Sequence, residues 1–275
     1  MASLMDSQET PLVAPLTMLP QTAFPLNRRV FYLYAGVNEQ SRVLVHFARQ
    51  KARSDARFGI IAPTTESSRA LVTDVEDEAR KLGVAWSRKI DYTAASFDAA
   101  RVARELGSGA EAVFFLGPAS DARALLNEAD KLGLSFDLFL PGALAGRELF
   151  DAPPRFKKHI FLTFPTLPTD QSKLTLLELS ALAERHQLPT KHLAVLMSAF
   201  SAAKLLVEGL NLSGRDLSRE KLIAALEGFY QFETGLTPPI TYGPNRRIGA
   251  LGAYVVALDL DNKGFTPASD WLALE

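Results

Sequence analysis

Between residues 57 and 141 apolar and polar positions repeat in one order. Phe58-Gly-Ile-Ile-Ala is a short apolar run; a polar stretch follows at 63–68, then apolar residues at helical spacing to Leu82. A second unit begins at Val84 and reaches Ile90, with a loop at 91–96 and a helical pattern to Leu106. The third is Ala112-Val-Phe-Phe-Leu, the loop 117–120 and a helix from Asp121 to Leu132; Phe136-Asp-Leu-Phe-Leu closes the series at Pro141. Short apolar runs alternating with 3.6-period patterns predict βαβ units. Such units wind right-handed into a parallel sheet covered by helices on both faces. Ligands of open parallel sheets sit beyond the carboxyl ends of the strands, so the loops at 63–68, 91–96, 117–120 and 141–146 are the first places to look for function.

Upstream, Pro11-Leu-Val-Ala-Pro-Leu-Thr predicts one strand closed by prolines, and Val30-Phe-Tyr-Leu-Tyr a second, rich in aromatic residues. Asn38 is the expected cap of a helix whose apolar face carries Val43, Leu44, Phe47 and Ala48. Downstream, prolines and lysines break the repeat at 152–158, and a strand is expected at 159–164. Pro165 and Pro168 mark a crossing segment, because proline cannot sit in a central ladder. Two longer helices are expected over 170–186 and 190–210, and Ser218 caps a third that ends at Gly228. A last strand at 253–259 has no neighbour in sequence. Its most economical home is an edge of the earlier sheet, which makes that domain discontinuous.

The 275 residues are 47% hydrophobic and 22% charged, with a net charge of −1. That is the balance of a globular α/β protein long enough for one large or two medium domains. No block of Lys and Arg is present, so no nucleic-acid surface is expected. The absence of cysteine removes disulfides, thiolate metal sites and a cysteine nucleophile. The first ten residues lack the basic and apolar segments of a signal peptide, and as written the chain is expected to stay in the cytoplasm. No run is expected to approach the roughly 20 apolar residues of a membrane helix.

His46, His159, His186 and His192 are scattered without metal-ligand spacing, so surface or interface roles are expected and no metal. Gly142-Ala-Leu-Ala-Gly lacks the context of a dinucleotide fingerprint, and no Walker loop, nucleophile elbow or acid/base pair is present. Neither an enzyme nor a cofactor is expected. Asn245-Arg-Arg is read as a solvated turn more readily than as an anion site.

Several stretches share their order and spacing with one known family. They are Pro11-Leu-Val-Ala-Pro-Leu-Thr, Val30 through Gln40, Phe58-Gly-Ile-Ile, Ala112 through Gly117, Asn127 through Leu134, and Ser218 through Gly228. The best single match is Thr234-Gly-Leu-Thr-Pro-Pro-Ile-Thr-Tyr-Gly-Pro-Asn-Arg-Arg. Together they resemble the type I periplasmic solute-binding proteins, the Leu/Ile/Val-binding family that feeds ABC importers. The resemblance implies an α/β fold of two parallel-sheet lobes joined by crossing strands, with a ligand in the cleft between them. It places 36–163 plus 247–275 in lobe two and 10–35 plus 165–246 in a partial lobe one. On that resemblance the first lobe is expected to be incomplete, because the opening βα units and export signal of a family member find no match in these residues.

The resemblance also implies site residues. Thr17 falls near a hydroxyl that holds a ligand carboxylate, although a threonine ending a strand is an equally good reading. Ser67 falls where an aromatic ring often closes over the ligand, and as a helix cap it has a plainer role. Pro118 and Ala119 lie where a second ring is common, and Ala143 near the acid that meets an ammonium. Asp91, Tyr92 and, at a helix start, Asp121 are the nearest polar substitutes for that acid; Asp121 reads first as a dipole partner. Losing the acid argues against an ordinary α-amino acid, because a buried ammonium without a counter-ion is costly. The implied function is solute binding for a periplasmic ABC-type importer of branched-chain amino acids or a related small polar solute, with lobe closure signalling to permease subunits. A sensory or regulatory module, or a truncated non-binding remnant, is the alternative. An incomplete lobe leaves apolar helix stripes open to self-association.

Overall fold

The alternation between 57 and 141 builds the sheet of one of two units in a computed structural model that describes residues 5, 7–22, 24–53 and 55–274. In chain order the elements begin with β1 (Leu12–Val13), β2 (Val30–Tyr34), α1 (Val37–Lys51), β3 (Phe58–Pro63), α2 (Glu66–Lys81) and β4 (Trp86–Tyr92). Next come α3 (Ala99–Leu106), β5 (Ala112–Phe115), α4 (Ala119–Lys131), β6 (Asp137–Pro141) and β7 (Ile160–Phe164). The chain ends with α5 (Lys173–Arg185), α6 (Leu193–Ser213), α7 (Arg219–Glu227), β8 (Ile248–Ala250), β9 (Gly252–Asp259), β10 (Gly264–Pro267) and β11 (Leu272–Ala273). The first unit holds Met1–Gly36 and Pro165–Leu251, the second Val37–Phe164 and Gly252–Glu275.

In the second unit the strands run in the order β10-β9-β7-β6-β5-β3-β4, with β11 also on β9. From β4 to β7 every pairing is parallel, and β9 adds antiparallel to β7. The late strand thus joins the earlier sheet at its edge, beside β7, making the unit discontinuous, and carries β10 and β11 in turn. Strand alternation divides the core. On one face Phe114, Phe139 and Phe161 stack at 5.1 and 5.4 Å between centroids, and Phe47 of α1 covers them. On the other, Gly59 and Val113 lie under Leu106 of α3, and Phe97 packs on Phe115.

Capping follows side-chain chemistry more than the first polar residue in view. Asn38 lies inside the first turn of α1, and its amide donates to Asp74 of α2 instead of capping. Asp98, Ser172 and Ser218 cap α3, α5 and α7 by accepting the N–H three residues on.

The first unit is built on the parallel sheet β1-β2-β8. Strand β8 pairs with β2 here, whereas a division at 247 expects it in the other lobe. Val30, Tyr32 and Ile248 form one apolar cluster, and Leu179, Met197 and Leu236 another under α5 and α6. The turn at 243–247 is solvated only at its tip, where Pro244 and Asn245 are exposed. Arg247 is 2% exposed; it pairs with Glu227 at 2.6 Å, donates to the Asn27 and Gly243 carbonyls, and lies over the Phe31 ring at 4.6 Å. Arg246 donates to the carbonyls of Ile248 and Gly249, so both arginines serve the fold. Contrary to expectation, among the described residues one helix, α6, is long and apolar enough to cross a membrane by length and composition alone.

Candidate functional site

In the second unit the carboxyl ends of β3, β4, β5 and β6 open into loops that meet along one rim. The loop after β3 begins at Thr64, whose N–H and hydroxyl both bond the carbonyl of Tyr92 at 2.8 and 3.2 Å, tying it to the end of β4. Thr65 caps α2: its hydroxyl accepts from the Ser68 N–H at 3.2 Å and meets the Ser68 hydroxyl at 2.7 Å. The expected cap, Ser67, sits within the first helical turn, exposed, with its hydroxyl 3.2 Å from that of Thr65.

Tyr92 is the centre of the rim. Its ring is buried between Phe97 and Phe115 at 4.6 and 6.2 Å, and its hydroxyl donates to Asp121 of α4 at 3.0 Å. Gly117 makes that bond possible, because a β-carbon there would lie 2.1 Å from the tyrosine hydroxyl. Burial pushes the phenol far above its ordinary pKa, and the Asp121 bond and charge push it further. Tyr92 therefore stays a neutral donor across physiological pH. Asp121, in the first turn of α4, also accepts from the Ser120 hydroxyl at 3.4 Å. No side chain caps α4, whose N-cap is Pro118. Asp121 thus complements the helix dipole and at the same time supplies a carboxylate to the rim.

The other predicted positions divide. Pro118 is exposed at the rim, but Ala119 is 3% exposed and packs beneath it, shaping the loop without lining an open surface. Ala143 is half-buried in the short 3₁₀ turn Gly142–Leu144, where a β-carbon on Gly142 would meet the Thr163 carbonyl at 2.1 Å. Asp91 pairs in register with Ala62 and Tyr92 with Pro63, so the two side chains leave opposite faces of the sheet. Asp91 is exposed and does not join Tyr92.

Thr17 lies in the first unit. Its hydroxyl accepts the Leu19 N–H at 3.1 Å, and it borders a groove of about 220 Å³ with Leu12, Pro15, Val30 and Tyr32. That volume is below the roughly 300 Å³ at which small-molecule pockets begin. The sequence reading does not single out Thr64, Thr65 and Ser120, and reads Asp121 as a dipole partner before a ligand contact. A Ser/Thr run after a predicted strand was their visible signal. Among the described residues no group of three His, Asp or Glu side chains is placed to hold a metal.

A family model described as periplasmic binding protein matches residues 1–264. Among solved structures, a branched-chain amino acid ABC transporter from Thermus thermophilus with bound valine is 16% identical at a TM-score of 0.75, covering 99% of this chain and 75% of that one. A leucine-binding protein from Thermotoga maritima is 14% identical at 0.73, with the same coverage. A fatty acid ABC transporter substrate-binding protein from Thermomonospora curvata is 16% identical at 0.66, covering 92% and 67%. At such identities the likeness establishes the shared fold. Among curated proteins nothing matches the sequence.

Proposed function

The chain belongs to the periplasmic binding proteins, and from that premise we propose that it is the solute-binding component of an ABC-type importer for a branched-chain amino acid or a related small polar solute. The observation that carries this reading is the family match over residues 1–264, on a chain whose second unit gathers hydroxyls around one carboxylate at the ends of its parallel strands. The proposed work is reversible binding with no catalytic step, and the proposed protein partners are permease subunits. Ser67, Ser120 and Asp121 would meet the polar groups of the solute; Pro118 and Ala143 would give it shape. Thr17 and Asp91 remain proposed contacts to be tested separately.

The charge balance favours a neutral amide over a free α-amino acid. Ala143 offers no charge where the resemblance places the family's acid, so an ammonium buried there would lack its counter-ion. The test is a melt of the whole chain against leucine, isoleucine, valine, amides, urea and small carboxylates. A ligand that binds only the folded state raises the midpoint with its saturation. One neutral amide is expected to raise it, and Asp121→Asn to reduce that rise; leucine is expected to bind no tighter than about 1 mM. Micromolar leucine binding would overturn the argument from Ala143. A flat response across the panel would overturn the function itself, leaving the chain a non-binding member of its family.

A further inference from the structure

Helix α6 has two faces, and only one is covered. Met197, Ser201, Leu205 and Gly209 are buried. Gly209 lets α7 approach closely, since a β-carbon there would lie 3.0 Å from Leu222. On the other side Val195, Ala199, Ala203, Leu206 and Leu210 are exposed, at intervals of four, four, three and four residues that align on one helical face. No charge lies on this stripe. The helix carries only Lys204 and Glu208, and Lys204 is turned to Glu178 of α5 at 3.3 Å and to the Thr234 carbonyl at 3.2 Å. The neighbouring α5 adds Leu174 and Leu177, 69% and 68% exposed. A helix facing water ordinarily presents polar residues there; this one presents a surface that wants cover.

We propose that the cover is a second copy of the same chain, paired through the α6 stripe. The stripe is self-complementary, as a two-fold interface requires. It is uncharged along its length, its two alanines admit a close helix approach, and Leu206 and Leu210 fill the space beside them. Its exposed area with Leu174 and Leu177 is on the order of 600 Å², so two copies would bury on the order of 1,200 Å², the lower end of specific interfaces. A bilayer suits α6 less well. Its opposite face is already committed to Leu179, Leu236 and α7, and it places Ser198, Ser201 and Ser213 among buried residues.

Sedimentation equilibrium of the full chain across the micromolar range tests this. The wild type is expected to dimerise, and L206R with L210R to raise the dimer dissociation constant about tenfold or more. Leu206 and Leu210 are 37% and 36% exposed in the single chain, so the thermal melt of the double variant is recorded alongside. Should the double variant melt early, Ala203→Glu on the same stripe is expected to give the same loss of dimer. Leu132→Arg, an exposed apolar site of the second unit, is expected to leave the dimer intact. A wild type that stays monomeric overturns the proposal, as does a dimer indifferent to the α6 changes. Co-sedimentation of the wild type with phosphatidylcholine vesicles, lost in the double variant, would overturn it in favour of a membrane.

Discussion

Glu78→Gln removes one charge from the contact that clamps α2 to α1, and so from the helix whose amino end carries Thr65 and Ser67. The Glu78 carboxylate is 6% exposed and bonds Arg42 at 2.9 Å, His46 at 2.7 Å and Lys81 at 3.1 Å. Burial alone would raise its pKa; the bonds from His46, Lys81 and Arg42 outweigh burial and lower it from 4.5 to about 2. A lowering of that size corresponds to about 3 kcal/mol of stability. Because Lys81 is 65% exposed and Arg42 26%, solvent screening brings the expected loss in the glutamine variant to about 2 kcal/mol near neutral pH. Since the folded value is the lower one, this stabilisation is fully present above about 4.5 and is lost as pH falls toward about 2. Both tryptophans, Trp86 and Trp271, lie in the second unit, so tryptophan fluorescence in urea follows that unit. The wild type should hold a higher midpoint at pH 7, and the gap should narrow steadily below pH 4.5. Equal midpoints at pH 7, or a gap that ignores pH, would refute the electrostatic account of the clamp.

Two further substitutions probe close contacts. Gly117→Ala places a methyl group against the Tyr92 hydroxyl and is expected to cost about 1–3 kcal/mol in the tryptophan-detected transition. In a Tyr92→Phe background most of that cost should vanish; an undiminished cost would mean that the contact is not its source. Arg247→Ala leaves Glu227 and two carbonyls without their buried partner and is expected to cost about 3–5 kcal/mol. The loss should appear in far-ultraviolet circular dichroism, which sees α5 to α7, with the tryptophan transition unmoved; an equal shift in both would assign the effect to the whole chain.

The parallel βα core was legible in the chain because its signal is local. Apolar runs such as Phe58–Ala62 and Ala112–Leu116, followed by helical spacing, state their own period, and β3 to β6 form where that period places them. Ser218 announced the start of α7 for the same reason, since a cap needs only the next three residues. The family was legible through the order of such segments, and its model matches nearly the whole chain. What escaped were choices between equivalent local options. Thr65 and Ser67 are both fit to cap α2, and Thr65 does so because β3 runs to Pro63 and the helix begins at Glu66.

Asp91 and Tyr92 read alike as polar strand-end residues until the register with Ala62 and Pro63 sends them to opposite faces. Tyr92 finds Asp121, 29 residues away, only because β4, β5 and α4 are packed together. Arg247 reads as a solvated turn until Glu227 and Phe31 close around it. The sequence by itself determined the periods and the class of fold, because each is settled within a few residues. The tertiary structure decided which polar groups meet, which arginine is buried and which face of α6 stays open, because those depend on packing between segments distant along the chain.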